Sequence, residues 1–336
     1  MATYKGIQGY SVQKLSSDPT VEDTVGQLWY NSTAGKFKIG TEGAGAWASG
    51  GNLNTAKRSM MGTGTTAAMV VAGGISGAAP PHTTGTDVTE TYNGSAWSTS
   101  PATLNTSRNY NIGDGITTAA ITTGGVLGSV PGAVTGATET FDGSAWTTVN
   151  SLITDRSQCG HTTLGSITAS LVFGGGTPTI VDITEIWDGT SWAERNDLNT
   201  ARQNLGGAGT TTAALAFGGM APPESTLTEI WDGTSWSVTN VLNSKKENAG
   251  ATGTSISALY WGGNPDSPGI LTEKWNGTSW TEVGDLANKT IGPGSGGVSN
   301  TSAITTGGSA NGGTTNSTAT EVWDGAPVTA KTVTTS

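Results

Sequence analysis

One pattern of apolar and polar positions recurs six times between residues 46 and 326. Each copy starts glycine-rich and runs into a short apolar segment closed by Gly-Gly. The pairs are Gly73-Gly74, Gly124-Gly125, Gly174-Gly175, Gly218-Gly219, Gly262-Gly263 and Gly307-Gly308. Three residues ahead of each pair stands an aliphatic side chain: Val70, Ile121, Leu171, Leu215, Leu259 and Ile304. A stretch such as TTAALAFGG is too short for a helix of ten or more residues and reads as a buried strand. After a loop comes Thr-Glu-x-aromatic-(Asp/Asn)-Gly, as TETYNG (89–94), TETFDG (138–143), TEIWDG (184–189 and 228–233), TEKWNG (272–277) and TEVWDG (320–325). Asp-Gly and Asn-Gly predict hairpin turns, because Gly takes the positive φ that such turns need.

The glutamates of these segments, Glu90, Glu139, Glu185, Glu229, Glu273 and Glu321, lie 49, 46, 44, 44 and 48 residues apart. A tryptophan opens the next strand at Trp97, Trp146, Trp192, Trp236 and Trp280. A leucine follows each at short distance, and four residues later stands Lys57, Arg108, Arg156, Arg202 or Lys246, with Thr290 in the sixth copy. The glycine-rich stretch, the Gly-Gly segment, the Thr-Glu segment and the Trp segment predict four strands per unit. Units of this length with Gly-Gly and a Trp are the signature of a β-propeller blade. The expected fold is therefore all-β: a six-bladed propeller over 46–326. Burying one Trp removes ~150–250 Å² from water, on the order of 4–6 kcal/mol before entropy is subtracted.

The sixth copy reads Asp324-Gly325-Ala326-Pro327 and lacks its Trp. Trp47 stands before Leu53 as the other repeat tryptophans stand before their leucines. The strand at Trp47 is therefore expected to pair beside 320–324 and close the ring, removing the edges an open array would expose.

Composition narrows the alternatives. The 52 glycines have no three-residue period, so a collagen triple helix is excluded. Only 12% of residues are charged, which disfavours coiled coils and helical bundles, and 12 tryptophans argue for a packed fold over disorder. A net charge of −10 argues against nucleic acid as a partner. No apolar run approaches the ~18 residues of a membrane span, so no membrane insertion is expected. MATYKGIQGYSV has no apolar core of a signal peptide, so synthesis in a host cytoplasm is expected. A single cysteine, Cys159, excludes an intrachain disulfide.

Gly-Gly ending the second strand, Glu-x-aromatic-Asp in the third and Trp opening the fourth resemble the kelch repeat over about 46–326. The tyrosines that mark that repeat are largely replaced here. DGTSW also looks like the Asp-box turn of sialidase-type propellers, one residue short between Asp and Trp. Residues 1–45 differ: GQLWYNSTAGKFKIG (26–40) predicts a hairpin with Ser-Thr-Ala-Gly at its tip. With the preceding SSDPTVEDTVG it resembles N-terminal modules of tailed-bacteriophage virion proteins of marine type. That module followed by EIWDGTSW and NTARxxLGGAGT repeats is similar to kelch-like structural proteins of such phages. The resemblance implies a non-enzymatic virion component: a tail fibre, appendage or surface decoration. It divides the chain into an attachment segment (1–45) that meets other virion proteins, the propeller (46–326) and a C-terminal tail (327–336). The propeller would contact a host-surface glycan or receptor. The alternatives are a lectin-like propeller not tied to a virion and a propeller-fold enzyme acting on glycans.

Candidate chemistry is sparse. His82 and His161 are the two histidines. Cys159-x-His161 could bind a metal but falls short of the three or four ligands a site needs. The His, Tyr and Cys set of galactose-oxidase-like copper sites is not assembled convincingly, and neither GxSxG nor a P-loop is present. Arg108, Arg156 and Arg202 occupy equivalent repeat positions, which favours structure over a sialidase arginine triad. The six glutamates are expected to pair with the repeat basic residues or to cap turns. Asn93-Gly94-Ser95 and Asn276-Gly277-Thr278 match glycosylation sequons, but turn chemistry accounts for them. No catalytic residue, metal or cofactor is expected, and ligand-binding residues are unassigned. The loops between Gly-Gly and Thr-Glu are 14, 12, 8, 8, 8 and 11 residues long, the longest being 75–88, 126–137 and 309–319. Unequal loops on one face of a repeat array are where binding is expected.

Overall fold

In the computed structural model, residues 12–19, 27–41, 45–76, 85–128, 132–265, 269–310, 315–325 and 329–334 are described. They form strands, turns and bridges, with no helix among the described residues. The chain divides into two compact units, Ala46–Asp324 and Met1–Gly45 with Gly325–Ser336.

The larger unit contains six four-stranded antiparallel sheets. In the fourth, Gly206–Thr210, Ala213–Phe217, Thr228–Trp231 and Trp236–Thr239 pair in that order. The second strand of the fourth sheet is apolar throughout because it has a strand on either side and covered faces: Ala214, Leu215, Ala216 and Phe217 are all fully buried. The first strands are glycine-rich because neighbouring sheets crowd them. A Cβ on Gly207 would lie 2.1 Å from the His161 carbonyl oxygen, so only glycine fits.

The sixth sheet takes Gly294–Ser299, Ser302–Thr306 and Thr320–Asp324 from the end of the unit and Ala46–Ser49 from its beginning. Trp47 stands opposite Trp323, and Ala46 opposite Asp324. First strands of successive sheets touch in sequence order, and Gly294–Ser299 touches Met61–Thr65 again. The arrangement is compatible with a β-propeller.

A second set of contacts runs between sheets. The Trp Nε1 of each fourth strand donates to the Thr hydroxyl of the third strand one sheet back. Trp97 donates to Thr320 (3.0 Å), Trp146 to Thr89 (2.9 Å) and Trp192 to Thr138 (3.1 Å). Trp236 donates to Thr184 (3.1 Å), Trp280 to Thr228 (3.0 Å) and Trp47 to Thr272 (3.0 Å). Each buried indole N–H is thereby satisfied, which gives the Thr of Thr-Glu its reason.

In the smaller unit, Leu28–Asn31 and Lys36–Thr41 form the hairpin read from the sequence. Gln13–Leu15 pairs with it in parallel. The other edge is taken by Thr329–Thr332, antiparallel to Lys36–Thr41. Within the segment 327–336, expected as a C-terminal tail, Thr329–Thr332 thus supplies a strand to this sheet. The Asp18 carboxylate accepts Asn31 Nδ2 (2.7 Å) and Trp29 Nε1 (3.0 Å). Those two bonds hold it below its ordinary pKa, with Lys38 helping.

Candidate functional site

The repeat glutamates are structural. Glu90 meets Lys57 (3.2 Å), Glu139 meets Arg108 (2.7 Å), Glu185 meets Arg156, Glu229 meets Arg202 (2.9 Å) and Glu273 meets Lys246 (3.2 Å). All ten side chains are at most 1% exposed, so the expected pairs form away from solvent. The other carboxylate oxygen accepts the backbone N–H just after the repeat leucine, as from Asn199 (2.7 Å) and Asn243 (2.8 Å). Each glutamate thus ties the third strand to the segment entering its own sheet. Burial pulls Lys57, Arg108 and Arg202 below their ordinary pKa, only partly offset by the facing glutamate. Burial pushes the Glu273 carboxyl up, but Lys246, the Asn243 N–H and Ser244 outweigh it and hold it below its usual value. The three arginines are each spent on their own glutamate and form no triad.

Two residues after each basic position the backbone turns left-handed. Ser59 (φ 53°), Tyr110 (53°), Gln158 (59°), Asn204 (54°), Asn248 (52°) and Gly292 (63°) share this conformation. Their peptides bond one another in a closed cycle. Ser59 N–H donates to Gly292 (2.7 Å), Gly292 to Asn248 (2.7 Å), Asn248 to Asn204 (3.0 Å) and Asn204 to Gln158 (2.7 Å). Gln158 then donates to Tyr110 (3.4 Å) and Tyr110 to Ser59 (2.7 Å). A non-glycine left-handed residue costs roughly 1–2 kcal/mol, least for Asn, and five of the six positions carry one.

These six residues border a cavity of about 120 Å³. Its wall also includes Met60, Met61, Ile112, Cys159, His161, Leu205 and Ser295. The loops of unequal length leave from the same rim. Lys57–Arg58 pairs with Ile75–Ser76, Arg108–Asn109 with Val126–Leu127, and Gln203 bridges to Met220. Asn316 Nδ2 donates to the Ile75 carbonyl (3.0 Å) and its Oδ1 accepts Arg58 Nη1 (2.8 Å), joining two of these loops. On the rim, Asn204 Nδ2 donates to Glu247 Oε2 (3.1 Å). Burial raises the Glu247 pKa against the pull of that bond, and Glu224 adds to the rise. His82 and parts of four loops (77–84, 129–131, 266–268 and 311–314) lie outside the described residues.

His161 has a built environment. It pairs with Val172 in the register that Gly62, Gly113, Gly207, Ala251 and Ser295 hold in the other sheets. Its Nδ1 is hydrogen-bonded to the Thr162 carbonyl and lies 3.5 Å from Asp114 Oδ1. Asp114 is 1% exposed; its Oδ2 accepts Thr162 Oγ1 (3.0 Å) and Ser170 Oγ. Its Oδ1 has no hydrogen bond. Cys159 also lines the cavity, but burial pushes its thiol up to about 11, so it is no ready nucleophile. No group of three or more metal-ligating side chains occurs among the described residues.

The rim ring and the Asp114–His161 pair were not read from the sequence. The ring's signal was a constant offset of two from the basic position. The signal of the pair was a departure from the repeat: Asp114 stands where Thr63, Ala208, Thr252 and Gly296 stand, and His161 where the other sheets carry small residues.

No protein-family model matches the chain, and no curated protein matches it. Among solved structures, that of YjhT aligns with 83% of this chain and 99% of its own, at a TM-score of 0.66 and 12% identity. The likeness shows a shared fold and nothing of activity.

Proposed function

We propose that Ala46–Asp324 is one closed, six-bladed, kelch-like propeller acting as a non-enzymatic recognition and display module of a tailed-phage virion. The cyclic hydrogen-bonding of one left-handed residue per sheet is the observation that carries the closed wheel. It makes a rigid rim from which loops of different length emerge around a cavity, as a contact surface requires. The repeat glutamates and arginines are sequestered in buried pairs, which supports a stability role for them. The virion assignment rests on the resemblance of 1–45 and the repeats to phage structural proteins. On this reading the smaller unit is the attachment segment, and the propeller meets a host-surface glycan or receptor.

Mass spectrometry of purified virions, with labelled antibody to place the chain on the particle, tests the assignment. The chain is expected in particles, at the tail or the surface. Deleting 1–45 and 326–336 together should abolish incorporation and leave the propeller's melting transition in place. Normal incorporation of that truncated chain would remove the attachment role. The cavity favours a second reading, a lectin-like propeller free of any virion; absence of the chain from particles together with glycan binding would select it.

A further inference from the structure

We propose that the rim cavity is a binding site for one uncharged, hydroxyl-bearing ring of monosaccharide size, anchored on Nε2 of His161. The proposal rests on the recognition reading and names the chemistry its central site would take.

Four observations lead to it. The first is the proton on His161. A carbonyl oxygen can only accept, so the bond between Nδ1 and the Thr162 carbonyl puts the proton of the neutral ring on Nδ1. Asp114 Oδ1, buried and otherwise without a hydrogen bond, stands 3.5 Å from the same nitrogen and holds the ring in that tautomer. Neither Thr162 nor Asp114 lines the cavity, whereas His161 does. With Nδ1 engaged, Nε2 is the ring nitrogen of this lining residue that remains to accept a ligand hydroxyl.

The second is a lining without charged side chains. No Asp, Glu, Lys or Arg is among the lining residues. The rim peptides are closed on one another, so their N–H groups are not free to receive an anion. A carboxylate or phosphate would be desolvated there without a counter-charge, which is costly.

The third is the mixed wall. Gln158, Asn204, Asn248 and Ser295 offer donors and acceptors, while Met60, Met61, Ile112 and Leu205 offer apolar surface. A saturated ring with a C–H face and a hydroxyl edge uses both. The fourth is size. A cavity of ~150 Å³ accommodates benzene, so about 120 Å³ takes most of a six-membered ring. The open rim leaves room for its substituents, so a terminal sugar on a longer glycan fits as well as a free one.

The test uses the full chain and nitrogen-15 NMR of the histidine rings. Methyl glycosides of glucose, galactose and mannose serve as neutral probes, and glucuronate and glucose 6-phosphate as charged ones. At least one neutral glycoside should saturate with a Kd of about 1–10 mM and move the His161 Nε2 signal. The charged probes should bind about tenfold more weakly or not at all. His161→Phe should abolish binding with the melting temperature kept. Asp114→Asn should weaken it about tenfold by releasing the tautomer, visible as a changed Nδ1/Nε2 shift pattern without ligand. If His161→Phe does not fold, the shifts in the native chain decide. The proposal is overturned if no neutral probe moves the His161 signals, if the charged probes bind as well as the neutral ones, or if binding survives in His161→Phe. Adhesion of the full chain to host cells is scored in parallel. Adhesion without glycoside binding removes the cavity proposal and leaves the recognition reading; a shifted His161 without adhesion does the reverse.

Discussion

The fourth and sixth sheets are built to one plan and differ in what holds them. The fourth is a single run of chain, and its Glu229 carries both Arg202 and the Asn199 N–H. The sixth joins Gly294–Ser299, Ser302–Thr306 and Thr320–Asp324 to Ala46–Ser49, and Thr290 stands at the repeat position that carries a cation in the others. Glu321 is nonetheless 3% exposed and accepts the N–H groups of Ala287 (2.9 Å) and Asn288 (3.0 Å) and Asn288 Nδ2 (3.1 Å). Thr290 Oγ1 donates instead to the Gly307 carbonyl (3.1 Å), a role that Arg202 Nη1 fills at Gly218 (3.0 Å). The constant task of the glutamate is thus to fasten the incoming segment by its backbone N–H groups. The cation is an addition that, once present, must stay paired.

The largest expected effect follows from that distinction. Glu229→Gln leaves the Arg202 guanidinium buried without a counter-charge and should cost about 3–5 kcal/mol. Glu321→Gln removes only charge assistance from N–H bonds and should cost about 1–2 kcal/mol. Urea unfolding of the two variants checks the ranking; equal costs would break the comparison and make the cation incidental. Thr290→Arg sharpens it further. It should change stability by less than about 1 kcal/mol, since desolvation offsets the new attraction.

Closing a sheet with distant chain also changes packing. Trp236 is 5% exposed, whereas Trp47 is half-buried between Trp261 (5.1 Å) and Trp323 (5.5 Å). Trp236→Ala should cost about 3–5 kcal/mol, and Trp47→Ala about 2–3 kcal/mol. Thermal melts of both variants read the difference. A larger loss at Trp47 would mean that the joint, and not the interior of the sheets, limits stability.

What could be read before any coordinates follows the same divide. The Gly-Gly segments, the Thr-Glu segments and the borrowed strand at Trp47 were legible because each rests on side chains that recur at fixed spacing. The Glu–Lys/Arg pairs were legible because two complementary residues repeat in step. The Thr of Thr-Glu repeats as faithfully, but its indole partner belongs to the neighbouring unit, so no pattern within one repeat discloses it. The rim ring was hidden because Ser59, Tyr110, Gln158, Asn204, Asn248 and Gly292 share a torsion and no side-chain chemistry. Asp114 and His161 were hidden for the opposite reason: each occurs once, and a search for repeats looks past exceptions. The pairing of Thr329–Thr332 with Lys36–Thr41 joins segments that share no motif.

The rim carries a smaller comparison of the same kind. The sixth position of the ring is Gly292 and the third is Gln158, both left-handed. Gly292→Ala adds a Cβ about 3.1 Å from Ser59 Oγ at a φ of 63° and should cost about 1–2 kcal/mol. Gln158→Gly relieves the same strain and should gain less than about 1 kcal/mol, because glycine also frees the unfolded chain. Chemical denaturation resolves the two signs. A loss at Gln158→Gly would show that its side chain supports the rim.

The smallest effect lies in the hairpin turns that the sixth sheet lacks, since its third and fourth strands are not adjacent in the chain. Asp232 Oδ1 accepts the N–H groups of Ser235 and Thr234, each at 2.8 Å. Those bonds hold its carboxyl below the ordinary value of 3.8; Asp188 is held down in the same way, and Asp142 first by the Ser144 hydroxyl (2.7 Å) and then by the N–H groups of Ser144 and Ala145. A carboxyl whose pKa is lower folded than unfolded stabilises above its unfolded value and loses that contribution as pH falls through its folded value. Asn93 and Asn276 make the same turn without a charge, accepting the N–H groups two and three residues on. Replacing all three aspartates by asparagine should therefore leave the melting temperature unchanged above about pH 5 and flatten its decline below about pH 4. Glu273, also held below its ordinary value, keeps part of the acid slope in the variant. An undiminished slope would mean that acid unfolding does not begin at these turns.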